Sequence, residues 1–94
     1  MFVVVSYDIS DDKRRTKIMK TLRDFGQHVQ YSVFECDVKP QVYERMRQRL
    51  KRFITDKDDS LRFYFLDEDA VKKIEVIGAP GVRRAREWGI IGKG

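Results

Sequence analysis

The first apolar stretch of the chain predicts a central β-strand. Residues Phe2 to Asp8 contain three consecutive valines with an aromatic residue on each side, and β-branched and aromatic side chains favour strands. Apolar groups fall on both faces of this stretch, as in a strand that is covered on at least one face. We therefore expect a central strand that ends at Asp8.

Two later stretches show the spacing of amphipathic helices. Ser10 and Asp11 can cap the start of the first helix, which should run to about Phe25, and Gly26 is a typical left-handed terminator. Pro40 is tolerated in the first turn of the second helix. The apolar positions of the first helix are Ile18, Met19, Leu22 and Phe25; those of the second are Tyr43, Met46, Leu50, Phe53 and Ile54.

The remaining apolar stretches predict strands. His28 to Val38 is long for one strand, and a turn near Tyr31-Ser32 would divide it into a hairpin. Leu61 to Leu66 predicts a further strand, which the acids at 67–69 end, and Ile74 to Ile77 predicts a short last strand. This order predicts an α+β fold, a ferredoxin-like two-layer sandwich with an antiparallel sheet (βαββαβ) and a short C-terminal strand.

Length indicates one domain, since 94 residues are too few for two. We expect the ferredoxin-like domain at residues 1–78 and a basic, flexible C-terminal tail at 79–94. The apolar run Phe2 to Val5 is too short for a signal peptide or a spanning helix. The single cysteine, Cys36, cannot form an internal disulfide, so we expect a cytoplasmic protein without a membrane partner.

The charge of the chain suggests a polyanionic partner. Twenty Lys and Arg stand against fifteen Asp and Glu, a formal net charge of +5, with a pI near 9.5. Basic clusters attract phosphate backbones through Coulomb forces and counterion release, although a solvated helix face is the more common explanation of any one cluster. The clusters are Arg45, Arg47, Arg49, Lys51 and Arg52, and in the tail Arg83, Arg84 and Arg86.

Asp8 is the main candidate for chemistry. A carboxylate at a strand end can bind Mg²⁺, a hard cation that takes oxygen ligands. One carboxylate is a poor metal site, and satisfying backbone N–H groups near the helix start is its ordinary alternative role. A metal held there would need further ligands, which a substrate phosphate could supply. Cys36 has no second Cys or His at metal spacing, which argues against zinc.

Several segments together resemble the CRISPR-associated Cas-two family, in the family's order and spacing over about residues 2–78. The resemblance implies ferredoxin-like protomers in a symmetric homodimer. The last strand of each protomer would cross to the partner's sheet, a role that falls here to Ile74, Val76 and Ile77. The matching segments are Val5 to Ile9, Asp11-Asp12, Arg14-Arg15, Gly26, Val29 to Glu35, Asp59 to Tyr64 and Ile77-Gly78.

The resemblance also implies a function in CRISPR adaptation. The dimer would bridge two dimers of the Cas-one integrase, and the assembly would capture and insert new spacer DNA. Some family members are metal-dependent endonucleases on single-stranded RNA or double-stranded DNA, which implies Mg²⁺, or Mn²⁺ in its place, as cofactor. A toxin-like ribonuclease of the related VapD type and a structural bridge without catalysis are the alternatives.

Residue types and the resemblance together assign a site. Asp8 would be the metal ligand and would form the catalytic group with Tyr7 and Arg15, although core packing explains Tyr7 equally well. Arginine's planar fork suits phosphate oxygens, whereas Lys17 offers only a point charge. His28 has an ordinary exposed histidine as its alternative. The expected nucleic-acid contacts are Arg14, Arg15, Lys17, His28, Arg45 and Arg49.

Overall fold

The structure, a computed structural model, describes residues 1–55 and 57–82. Four strands form one antiparallel sheet in the order β2-β3-β1-β4, and the predicted α+β sandwich is confirmed. Most of the tail predicted at 79–94 lies outside the described residues. The elements are β1 (Phe2–Asp8), α1 (Asp12–Arg23), β2 (Gln27–Gln30), β3 (Val33–Asp37), α2 (Pro40–Lys51), β4 (Ser60–Leu66) and α3 (Glu68–Lys72).

The core lies between the sheet and the helices α1 and α2. Along the central strand β1, Val3, Val5 and Tyr7 are buried, whereas the alternate positions from residue 2 to residue 6 are only half-buried. This period of two gives the sheet one face covered by the helices and one open face. The other buried apolar side chains are Ile9, Ile18, Leu22, Phe34, Cys36, Met46 and Leu50.

The start of α1 confirms the predicted cap, and its end corrects the role of Gly26. The Asp11 carboxylate accepts a hydrogen bond of 2.9 Å from the backbone N–H of Arg14. The helix ends at Arg23, and Gly26 does not have a positive φ. A side chain at Gly26 would instead collide with the Cys36 Sγ atom and the Glu35 carbonyl, so glycine is required there for close packing and not for a left-handed turn.

The chain after β4 differs from the prediction. Asp67, Glu68 and Asp69, expected only to end the strand, begin the short helix α3. The Asp67 carboxylate caps this helix by accepting a hydrogen bond of 2.8 Å from the N–H of Ala70. The predicted strand at Ile74 to Ile77 is wrong for the single chain, because these residues form no strand ladder with the described residues.

Residues 74–80 cross the open face of the sheet. Together with side chains of β2 and β3, including Val33 and Glu35, they line a cavity of about 300 Å³. The backbone N–H of Val82 then donates a hydrogen bond of 3.1 Å to the carbonyl of His28 on β2. None of the described helices is long and apolar enough to cross a membrane.

Candidate functional site

The end of β1 places two adjacent candidate residues on opposite faces of the sheet. Tyr7 points to the covered face and is 5% exposed, whereas Asp8 is exposed. Asp8 lies directly across from Ser60 of β4, in the same register that pairs Ser6 with Arg62. Because directly paired residues share a face, Asp8 belongs to the open face. The proposed catalytic residues Tyr7 and Asp8 therefore do not share a surface within one chain.

Asp8 differs from three nearby acids in having no hydrogen-bonding partner among the described residues. Asp11 caps α1, Asp12 forms an ion pair with Arg15, and the side chain of Asp59 is enclosed. Asp8 itself has no hydrogen bond or ion pair with any residue that the structure describes. Its carboxylate oxygens remain available to a ligand from outside the chain.

The Asp59 carboxylate joins two loops of the same chain. It accepts hydrogen bonds from the Ser10 N–H at 3.2 Å and from the Thr55 N–H and Oγ1 at 3.0 and 3.1 Å. Arg14 pairs side-on with it, through Nε at 3.1 Å and Nη2 at 2.8 Å. The hydrogen bond from the Thr55 backbone, with those from Ser10 and Arg14, lowers the pKa of Asp59 to about 2 against the effect of burial.

Asp59 is the residue whose importance the sequence analysis missed. Its partners Ser10 and Arg14 lie 49 and 45 residues away in the chain, and the acid stands in a polar segment that predicts only a loop. The family motif from Asp59 to Tyr64 was the one signal that marked this position.

Arg14 and Arg15 are both fixed to the β1–α1 junction, which we define as residues 8–15. Arg15 donates a hydrogen bond of 2.9 Å from Nη1 to the carbonyl of Ile9, the residue after Asp8. Its Nη2 pairs with Asp12. Both guanidinium groups thus lie beside the end of β1, with about 30% of each side chain exposed.

The hydroxyl of Tyr7 is used inside the fold. It donates a hydrogen bond of 3.3 Å to the carbonyl of Tyr31 in the β2–β3 turn, and the Tyr7 N–H bonds the adjacent Ser32 carbonyl at 3.1 Å. Burial raises the pKa of Tyr7, and the nearby Tyr31 adds to this, against the opposite effect of Arg15. Tyr7 therefore holds the predicted hairpin turn, which is confirmed at residues 31–32, against the end of β1.

His28 also bonds this turn. Its Nε2 lies 2.9 Å from the same Tyr31 carbonyl, and its ring stacks on Phe34 with centroids 4.3 Å apart. Because a carbonyl can only accept, Nε2 is the donor of this hydrogen bond. Nδ1 is buried without a partner among the described residues. His28 is half-buried, in contrast to an ordinary exposed histidine.

The remaining predicted nucleic-acid contacts lie on the outer surface of the helices. Lys17 is exposed, with its Nζ atom 5.7 Å from the ring centre of Phe53. Arg49 pairs with Asp24 at 3.0 Å. Arg45 is exposed and forms no ion pair with the described part of the chain. The basic side chains therefore lie in the helical layer, on the other side of the sheet from Asp8.

The predicted dimer residues are exposed apolar side chains on or beside the open face. Ile74 is 38% exposed, Val76 59% and Ile77 91%. Tyr64 of β4 shares the open face with Val4 and is 47% exposed. Exposed apolar groups that adjoin an uncovered sheet face are typical of an association surface.

The described part of a single chain does not provide a complete metal site. No three His, Cys, Asp or Glu side chains within residues 1–55 and 57–82 are grouped to hold an ion. The free carboxylate of Asp8 has the donor type that Mg²⁺ or Mn²⁺ prefers. The fit thus depends on ligands from a second copy of the chain, a phosphate or water.

Comparison with known proteins identifies the relatives of this chain. Residues 1–74 match the family described as CRISPR associated protein Cas2. A protein of Chloroflexus aurantiacus named CRISPR-associated endoribonuclease Cas2 1 is 49% identical over 79 residues, which cover 83% of this chain and 85% of the relative.

Two solved structures extend this similarity to the fold. The crystal structure of Streptococcus pyogenes Cas2 at pH 6.5 has a TM-score of 0.74 and 38% identity, covering 83% of this chain and 100% of that one. A chain in a structure titled partial Cas6-RT-Cas1--Cas2 complex has a TM-score of 0.71 and 30% identity, covering 84% and 88%. The ferredoxin-like expectation agrees with these folds.

Proposed function

The chain belongs to the Cas2 family of CRISPR-associated proteins, and on that premise we propose that it is a nucleic-acid-binding homodimer in CRISPR adaptation. The observation that carries this proposal is the match, across 84% of the chain, to a chain in a Cas1–Cas2 complex structure. We propose Cas1 as its protein partner. The free, buried Cys36 fits a reducing compartment, and we propose that the protein acts in the cytoplasm.

The basic side chains of the helical layer support nucleic-acid binding. Lys17, Arg45 and Arg49 are exposed on α1 and α2, while Arg14 and Arg15 hold partly exposed guanidinium groups at the β1–α1 junction. Guanidinium groups form paired hydrogen bonds with phosphate oxygens, and exposed lysines add charge without directional demands. The expected ligand is therefore a phosphate backbone, of DNA or RNA, with little base specificity.

The open face of the sheet supports the homodimer. The helices α1 and α2 cover one side of the sheet, and the other side exposes Tyr64 on β4 and carries Val76 and Ile77 beside β2 and β3. A chain of 94 residues buries a modest share of its surface alone, so association through this face would add to its stability. We expect Val76→Asp combined with Ile77→Asp to convert the dimer to a monomer in analytical ultracentrifugation. A dimer that persists unchanged would contradict this assignment.

A metal-dependent endoribonuclease activity is the second function that we propose. The observation behind it is the exposed Asp8 carboxylate, which pairs with none of the residues that the structure describes, together with the endoribonuclease names of several relatives. Asp8 would hold Mg²⁺ or Mn²⁺, and a bound ion of this kind polarises a phosphate and lowers the pKa of its water. Arg15, tied to the carbonyl next to Asp8, would orient the phosphate.

The binding function is tested with the purified chain and its Cas1 partner. We expect the two proteins to co-elute and the chain to bind short duplex DNA or RNA at low salt, with affinity that falls steeply as salt rises. Failure of both co-elution and binding at low salt would refute the proposal.

The nuclease function is tested by cleavage of labelled RNA and DNA with Mg²⁺, with Mn²⁺ and with chelator. Activity that requires metal and is lost in Asp8→Asn supports the proposed site. A wild type that binds but never cleaves favours the non-catalytic bridge. Cleavage by a chain that never associates with Cas1 favours a toxin-like ribonuclease of the VapD type.

A further inference from the structure

We propose that Asp59 is a positioning residue, which fixes the guanidinium group of Arg14 as a phosphate-binding group at the end of β1. The inference rests on the proposed nucleic-acid binding and deepens it. It arises from the placement of one enclosed carboxylate between two loops, and from the part of Arg14 that this carboxylate leaves unbonded.

The Asp59 carboxylate is saturated by its own chain. Its side chain is 0% exposed, and it accepts six hydrogen bonds, two each from Ser10, Arg14 and Thr55. A carboxylate has about four lone-pair positions, so these donors leave no room for a metal or substrate. Asp59 therefore acts on bound nucleic acid only through the groups that it holds.

Arg14 is held by one edge of its guanidinium group, and the other edge bonds none of the residues that the structure describes. Nε and Nη2 bond the two carboxylate oxygens of Asp59. Nη1 forms no hydrogen bond with the described residues, and 28% of the side chain is exposed. The guanidinium group thus presents two N–H donors of Nη1 in a fixed orientation.

A fixed donor binds more tightly than a mobile one. Ordering a long side chain costs roughly 0.5–1.5 kcal/mol when a ligand must do it, which corresponds to about two- to twelvefold in affinity. Asp59 orders Arg14 before any ligand arrives. It also bonds the N–H of Ser10, two residues after Asp8, so the same contact fixes the backbone next to the proposed metal ligand.

The test is a double-mutant cycle in nucleic-acid affinity. The variants are Asp59→Asn, Arg14→Gln and the pair, measured on the intact chain with one short duplex at one salt concentration. We expect each single change to weaken binding roughly three- to tenfold. If Asp59 acts through Arg14, adding Asp59→Asn to Arg14→Gln should change the affinity less than twofold.

Arg45→Gln provides the matched control, because Arg45 is an exposed cation on a different helix. The effects of Asp59→Asn and Arg45→Gln should multiply, as expected for independent sites. If Asp59→Asn weakens binding equally in the Arg14→Gln and Arg45→Gln backgrounds, its role is general support of the fold and the inference is wrong.

A second variant keeps the inference testable if Asp59→Asn does not fold. Arg14→Lys retains the positive charge but cannot pair with Asp59 and present a second fixed edge. We expect it to lose most of the affinity that Arg14→Gln loses, and wild-type affinity would overturn the inference. A wild type that binds no nucleic acid refutes the proposed function and this inference together. A wild type that binds, but in which the effects of Asp59→Asn and Arg14→Gln simply multiply, refutes this inference alone.

Discussion

Asp8 and Asp59 lie at the same end of the sheet, on or next to the neighbouring strands β1 and β4. Asp8 is paired in register with Ser60, the residue that follows Asp59. The Asp59 side chain is fully enclosed and accepts six hydrogen bonds. Asp8 is exposed and accepts none from the residues that the structure describes. The Asp59 carboxylate thus bonds groups within the chain, whereas the Asp8 carboxylate is accessible to ligands from outside it.

The difference separates two kinds of polar group in this protein. A group with several partners inside the chain stabilises local geometry, and its loss should first affect folding. A group without such partners adds little to folding, and its presence at a strand end is better explained by a ligand. The same division applies to Tyr7, which bonds Tyr31, and to Arg45, which pairs with no described residue.

The largest expected effect is the loss of cleavage in Asp8→Asn. Removing a partner of a metal ligand typically costs 10- to 100-fold, so removing the ligand itself should lower the cleavage rate by at least about 100-fold. The melting temperature should stay close to that of the wild type, because no described hydrogen bond is lost. The measurements are initial rates on labelled RNA with Mg²⁺ and thermal unfolding by circular dichroism.

Asp59→Asn is the matched control for this experiment, since it makes the same chemical change at the enclosed acid. It should lower the melting temperature clearly, and more than Asp8→Asn does. If Asp8→Asn instead destabilises the protein while its cleavage persists, the contrast between the two acids fails.

The stability that Asp59 contributes to the fold should depend on pH. The pKa of folded Asp59 is about 2, below the value near 4 of an unfolded aspartate. Its contribution to stability is therefore complete above about pH 4 and is lost as the pH falls through about 2. Asp11, whose capping bond also lowers its pKa, contributes with the same sign.

Melting curves between about pH 6 and pH 2 test this pH dependence. The gap in melting temperature between wild type and Asp59→Asn should be widest near neutral pH and should narrow in acid. A gap for Asp59→Asn that does not change with pH would show that its ionised form adds nothing to stability.

Local sequence signals predicted the parts of the fold that local forces determine. The valines of β1, the Asp11 cap and the turn at Tyr31-Ser32 each follow from side chains within a few residues. The helix α3 was missed because Asp67 begins a helix immediately where a strand ends, and the same acid signals both events. The last predicted strand was wrong for one chain because a strand requires a neighbour for its backbone hydrogen bonds.

Long-range contacts explain what the sequence could not show of the site. The location of Asp8 followed from the strand pattern and the family motifs. The enclosure of Asp59 depends on Ser10 and Arg14, more than 40 residues away. The burial of His28 depends on stacking against Phe34 across the hairpin. Such contacts carry no periodic pattern along the chain.

A smaller effect, on the salt dependence of nucleic-acid affinity, is expected from substitutions of the arginines of α2. These arginines also differ in whether they have a partner inside the chain, as Asp8 and Asp59 do. Arg45 forms no ion pair with the described residues, whereas Arg49 bonds Asp24 at 3.0 Å and lies 5.2 Å from the ring centre of Phe25. If Arg45 contacts phosphate, Arg45→Gln should reduce the slope of log affinity against log salt by about one.

Arg49→Gln should reduce this slope less, since Asp24 already neutralises part of its charge, and should cost at most about 1 kcal/mol of stability because its ion pair is exposed. Titrations of a fluorescent duplex at four or more salt concentrations give both slopes. A larger slope change for Arg49→Gln than for Arg45→Gln would show that Arg49, and not Arg45, is the stronger phosphate contact of α2.

The smallest expected effect is that of Tyr7→Phe, and it decides whether a committed group can also be catalytic. The substitution removes the 3.3 Å hydrogen bond to the Tyr31 carbonyl but keeps the buried ring, and His28 continues to donate to the same carbonyl. We therefore expect a loss of about 0.5–1.5 kcal/mol in the free energy of unfolding, as for one partly buried hydrogen bond.

The cleavage rate of Tyr7→Phe should stay within about threefold of the wild type, because the hydroxyl lies on the covered face and Asp8 on the open one. Denaturant unfolding and initial cleavage rates measure the two quantities on the same preparation. If the rate falls as far as in Asp8→Asn while stability is unchanged, then Tyr7 leaves the core to reach the substrate, and internal hydrogen bonding does not separate structural from catalytic groups in this protein.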